Sequence, residues 1–138
     1  MVKLTNQEIK SISLFEQLTG VTIKDCVIDE EGTVFIVKEG DLGKAIGKKG
    51  SVIARVRSIF NKRIEIFEYG ETPEKFIRNL FSPIQIVNLN IQGGDDKKVA
   101  YISVDPMNRG AAIGRDGGRI KLARLLLKRH FNTDLKLY

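Results

Sequence analysis

The chain has almost none of the side chains from which catalytic and metal sites are usually built: its 138 residues include one histidine, His130, and one cysteine, Cys26. A lone cysteine cannot form an internal disulfide, which suits a reducing compartment. In an apolar-alternating segment, Cys26 reads as a small core residue. One histidine and one cysteine do not make an ordinary zinc site, nor do they suggest a nucleophile–base pair. His130, late in a basic helical segment, reads as a dipole partner or a surface residue. Tryptophan is absent and aromatics make up 7% of the chain, which argues against a protein that stacks bases on sheet aromatics. Phe15, Phe60, Phe76, Phe81 and Phe131 fall on apolar faces of predicted helices and read as core. No apolar run approaches the roughly 20 residues that span a bilayer, and the polar start from Met1 to Lys10 lacks signal-peptide character. The expectation is a cytoplasmic protein that is not an enzyme, with no cofactor, no metal, no membrane partner and no small-molecule substrate.

What the chain does have is positive charge in two places. The net charge is +6 and the isoelectric point about 9.5. Residues 41–63 carry seven basic side chains against Asp41 alone, and residues 105–130 carry seven against Asp105 and Asp116. Everything else is net negative, including the carboxylates at Asp29-Glu30-Glu31 and Asp95-Asp96, which read as solvated residues of hairpin turns. Clustered basic charge is the footprint of a polyanion binder.

Each cluster begins at the same phrase. Ile46-Gly47-Lys48-Lys49-Gly50-Ser51-Val52-Ile53 and Ile113-Gly114-Arg115-Asp116-Gly117-Gly118-Arg119-Ile120 both read I-G-x-x-G-x-x-I, with every shared residue offset by 67. The same offset pairs Gly43 with Gly110, Ala45 with Ala112 and Val37 with Val104. A repeat of this length implies two copies of one module. A module of about 65 residues buries only about 60% of its unfolded surface, so the two are expected to pack together. The phrase is not a nucleotide loop: five residues after Gly43 stands Lys48, where a P-loop requires glycine, and Ala45 breaks G-x-G-x-x-G.

The pass along the chain gives the same element order twice. Asn6 to Leu18 is predicted helical, capped by Thr5 or Asn6, with Ile9, Ile12, Phe15 and Leu18 on one stripe and Gly20 as its stop. Val21 to Ile28 alternates through Val21, Ile23 and Val27, and pairs across a turn with Thr33 to Val37. Leu42 to Ile46 is a short helix, Gly47 to Gly50 the loop, Ser51 to Phe60 a second helix and Lys62 to Tyr69 a strand. After Gly70 the order recurs. A helix capped by Thr72 with Pro73 at its first position ends before Pro83. A hairpin of Ile84–Gln92 and Lys97–Val104 follows, then a short helix from Met107. The loop Gly114 to Gly117 comes next, then a helix to about His130 and a strand at Leu135 and Leu137. The fold class is α+β, α-β-β-α-α-β repeated, with modules at 1–70 and 71–138.

A glycine pair between two helices exposes backbone without side-chain obstruction, and the following helix offers N–H groups that favour anions. Lys48 and Lys49 add charge there, while Ile46 and Ile53 can line a groove in which unpaired bases lie flat.

The phrase between two helices resembles the KH domain, and the helix-first order resembles its type II form. Two such modules joined by a few residues resemble the paired KH region of the NusA family of transcription factors. The resemblance implies two tandem type II KH domains, each a three-stranded sheet with helices packed on one face. It implies that Gly47, Lys48, Lys49 and Gly50 clamp single-stranded RNA in one module, and Gly114, Arg115, Asp116 and Gly117 in the other. Ile46, Ile53 and Arg55 in the first module, and Ile113, Arg119 and Ile120 in the second, would complete the two sites. RNA polymerase is a further implied partner, and transcription termination or antitermination the implied role. Other RNA-binding work on the same fold, such as ribosome assembly, and a basic module that docks an acidic protein are the rival expectations. Asp116 sets a carboxylate where the first loop has lysine. Either the second loop binds more weakly, or Asp116 caps the next helix while Arg119 and Arg124 carry the charge.

Overall fold

The computed structural model describes residues 3–94 and 96–138, so that Met1, Val2 and Asp95, the last expected in a hairpin turn, lie outside the described residues. The chain divides into two compact units, one ending at Tyr69 and the other running from Gly70 to Tyr138.

The first unit is built in the order α1 (Asn6–Thr19), β1 (Ile23–Ile28), β2 (Thr33–Val37), α2 (Leu42–Ile46), α3 (Ser51–Phe60) and β3 (Ile64–Glu68), with a single 3-10 turn at Lys48–Gly50 before α3. The sheet order is β1-β2-β3, antiparallel between the first two strands and parallel between the last two. Helix α1 starts with a capping box. The Thr5 hydroxyl accepts from the Glu8 amide at 3.1 Å, and the Glu8 carboxylate accepts from the Thr5 amide at 2.9 Å. Glu8 also accepts from the Ile28 amide at 3.4 Å, which ties the helix start to β1 and permits a carboxylate to be buried.

The buried face of α1 therefore runs through Glu8, Ser11 and Phe15. Ile9, expected on that stripe, is 52% exposed, because it lies one position round the helix from Glu8. A register shift between Ile23 and Asp25 breaks the predicted alternation of β1. Past this bulge Cys26, not Val27, faces the helices, and Cys26 is fully buried. The core lies between one face of the sheet and the three helices. Phe15 packs on Phe35 at 4.3 Å between ring centroids, Phe60 meets Phe35 edge-on, and Val37, Ala45, Val56 and Ile64 fill in around them.

The second unit repeats the plan with α4 (Pro73–Phe81), β4 (Ile86–Gly94), β5 (Lys97–Val104), α5 (Arg109–Ile113), α6 (Gly118–Phe131) and β6 (Thr133–Leu137). Its sheet order is β4-β5-β6 with the same antiparallel and parallel pairings. Thr72 caps α4 by accepting from the Lys75 amide at 3.2 Å, with Pro73 at the first helical position. The short helix expected from Met107 opens instead with a 3-10 turn over Pro106–Asn108, held by the Asp105 carboxylate on the Met107 amide at 3.0 Å. A bulge between Ile86 and Asn88 copies that of β1. Helix α6 has 14 residues against 10 in α3, one extra turn, which accounts for the growth of the repeat offset at the final strand. His130 packs its ring edge-on against Phe76, a core-side contact rather than a surface position. Among the described residues, no helix is long and apolar enough to cross a membrane.

Candidate nucleic-acid interface

Each glycine loop is made by the first glycine leaving the helix in a conformation essentially confined to glycine. Gly47 has φ 77° and ψ 172°, and Gly114 has φ 82° and ψ 171°. A β-carbon on Gly47 would stand 2.4 Å from the Val52 Cγ2 and 2.9 Å from the Val52 amide nitrogen, and one on Gly114 2.7 Å from the Arg119 amide nitrogen. The bare α-carbon thus lets the loop lie against the first turn of the next helix. The residue before the second glycine adopts the left-handed conformation in both copies, at φ 54° and ψ 28° for Lys49 and again for Asp116. The two loops agree in these angles to within 5°.

Neither loop is sealed. Lys48, Lys49, Arg115 and Asp116 are exposed, and the flanking glycines are half-buried. Ile46 is 38% exposed and Ile113 half-buried, so each loop has an apolar neighbour within reach of a ligand. Arg55 is exposed on α3.

Other expected members of the site stand elsewhere. Ile53 and Ile120 are buried in the cores of their units at 8% and 7% exposure. Their spacing from the second glycine turns them inward, so they support the loops from beneath and do not line a groove. Three loop amides are also spent locally. The Gly47 amide donates to the Gly43 carbonyl, Gly50 to Gly47 and Ser51 to Lys48, and the second loop repeats this with Gly114 to Gly110, Gly117 to Gly114 and Gly118 to Arg115. Fewer amides are therefore open to solvent at each loop than the expectation of unpaired amides implies.

Asp116 does not cap α6. Gly117 holds the cap position with no side-chain hydrogen bond, while the Asp116 backbone carbonyl accepts from Lys121 Nζ at 3.2 Å. Arg119 and Arg124 keep their positive charge beside the loop, but each also has a structural hydrogen bond to a backbone carbonyl. Arg119 donates to the carbonyls of Leu80 and Ser82 at the end of α4, at 3.1 and 3.4 Å. Arg124 donates from Nε to the Leu135 carbonyl at 3.0 Å, just as Arg57 donates to the Ile64 carbonyl at 3.3 Å. Arg57 and Arg124 brace the last helix of each unit to its last strand. The recurrence of Arg57 at Arg124, 67 residues on, is the sequence signal for that brace. The first loop presents Lys48 and Lys49, while the second presents Arg115 beside Asp116, with the Lys121 ammonium lying against it.

Two family models match the chain, and they overlap. A model of the KH domain matches residues 9–98, and a model of the NusA-like second KH domain matches residues 73–135. The chain is 42% identical over 129 residues to the probable transcription termination protein NusA of Methanocaldococcus jannaschii, covering 94% of this chain and 70% of that protein. Against the protein of the same name from Halococcus morrhuae it is 36% identical over 133 residues, covering 96% and 95% of the two chains. The crystal structure of APE1850, at 36% identity, aligns with 98% of this chain and 100% of its own, with a TM-score of 0.80.

Proposed function

The chain belongs to the KH-domain family, as a NusA-like protein with two KH domains, and from that membership we propose that it binds single-stranded RNA through both glycine loops and acts in transcription termination and antitermination. One observation carries the reading: two loops 67 residues apart in sequence hold matching backbone angles and keep their variable side chains in solvent. Lys48 and Lys49 meet the phosphates of one segment, and Arg115 those of another. Ile46 and Ile113 offer apolar surface to bases that a duplex would hide in its stack. A KH loop clamps about four nucleotides, and two sites on one chain can raise avidity by about 10²–10⁴. The protein works by binding, without chemistry, in the cytoplasm, with RNA polymerase as its protein partner.

The test is a titration of an unstructured 12-nucleotide RNA followed by fluorescence anisotropy at several salt concentrations. K48D/K49D should lower affinity by about tenfold or more, and flatten the plot of log K against log salt by about 0.7 for each phosphate that is no longer neutralised. Undiminished affinity in a folded variant would overturn the loop assignment. Equal affinity of the wild type for heparin would favour the rival reading, a module for acidic proteins.

A further inference from the structure

The face of the β4-β5-β6 sheet turned away from its helices carries a cluster of phenol, amide and ammonium side chains. Along β5, Ala100 and Ile102 point into the core, so alternation sends Lys97, Val99, Tyr101 and Ser103 to the other face. Strand pairing sets Asn90 on one side of Tyr101 and Lys136 on the other. The Asn88 amide donates to Ser103 Oγ at 3.0 Å in the adjacent row. Asn90, Gln92, Tyr101, Lys136, Leu137 and Tyr138 line one open hollow of about 540 Å³. Asn90, Gln92 and Lys136 are exposed, and Tyr138 is 63% exposed.

The repeat supplies the contrast. Tyr101 stands where the first module has Val34, Lys136 where it has Glu65, and Tyr138 where it has Phe67, by the offsets of 67 and 71 that relate the copies. Val34 and Phe67 are buried. An aliphatic side chain and a phenyl ring have thus become two phenols, and a carboxylate has become an ammonium. Two of the chain's three tyrosines meet in this hollow. The ring faces can stack on bases, the amides can donate and accept at base edges, and the ammonium can meet a phosphate. Asp134 lies one row away beside Val99, where a carboxylate can accept from an exocyclic amino group. Lys97 and Lys136 outnumber it, and a hollow lined by two phenols, two amides and one ammonium suits an aromatic base with one phosphate better than a run of carboxylates.

We propose that this sheet face is a further RNA site, holding a nucleotide of a single strand beyond those in the glycine loops, with its base stacked on Tyr101 or Tyr138 and its phosphate near Lys136. The proposal rests on the reading of the chain as a single-strand RNA binder. Its test uses the full chain and a 12-nucleotide oligouridylate, comparing Y101A/Y138A, Y101F/Y138F and K48D/K49D. The alanine pair should lose about fivefold or more in affinity, while the phenylalanine pair, which keeps the rings, stays within about twofold of the wild type. A loss in K48D/K49D with none in the alanine pair would overturn this site and leave the loops standing. No binding by the wild type would instead remove the function reading itself. Should the alanine pair fail to fold, photocrosslinking the wild-type chain to a 4-thiouridine 12-mer decides the matter. Adducts on Tyr101, Lys136 or Tyr138 support the site, and adducts confined to the loops overturn it. Tyrosine-dependent binding of polyglutamate without such adducts would also overturn it, by assigning the face to a protein.

Discussion

In the first module the loop residue held in the left-handed conformation is Lys49, and in the second it is Asp116, at the same φ of 54°. Aspartate is among the residues that tolerate this conformation, whereas lysine has no short polar side chain to offset it with a local hydrogen bond. The second loop is thus relaxed but carries a repulsive charge, and the first is strained but cationic. Backbone geometry and charge are separable here. The glycines set the path of the chain, and the residues between them set the charge that the loop presents to solvent. Strain retained at an exposed lysine supports a binding role for that side chain in the first loop.

The comparison can be broken most severely at the glycines. Gly47→Ala and Gly114→Ala each force a β-carbon against the next helix, and each should destabilise its own module by about 1–3 kcal/mol. Urea titration read by amide exchange in each module would show this, and a large cost in one copy alone would end the equivalence of the loops. A smaller effect comes from Asp116→Lys, which gives the second loop the charge of the first. RNA affinity should rise several-fold, with the salt slope steeper by about 0.7 for each phosphate newly neutralised. Unchanged affinity would mean that the second loop does not meet RNA. The smallest effect belongs to Lys49→Asn. It exchanges an unfavourable left-handed residue for a tolerant one and should stabilise the first module by about 0.5 kcal/mol while weakening RNA binding. Lower thermal stability in this variant would show that Lys49 makes a structural contact that outweighs its conformational cost.

The element order, both hairpins and both loops are legible in the sequence, because a motif repeated at constant spacing locates two modules at once and Gly, Pro and Thr mark their boundaries. The departures are local and have physical causes. Apolar periodicity puts Ile9 inside because it cannot see that Glu8 is satisfied by a capping box and by the Ile28 amide. Alternation groups Val27 with Val21 because it cannot reveal a bulge two residues upstream. Ile53 and Ile120 look identical to groove residues in one dimension, and only the helix's orientation over the sheet turns them into the core. The structural bonds of Arg119 are hidden as well, since a carbonyl acceptor 39 residues back at Leu80 leaves no trace in local composition. The open face of the second sheet is hidden for a related reason. Low aromatic content is an average, and two tyrosines close together escape it.

Each three-stranded sheet is closed by a strand lying parallel beside a partner from much earlier in the chain, β3 on β2 and β6 on β5. All the elements of the first unit also precede those of the second, without interleaving. During synthesis the first sheet can therefore close while the second still lacks its final strand. The ribosome delivers the modules in turn, and the chance of swapping strands between two near-copies falls accordingly.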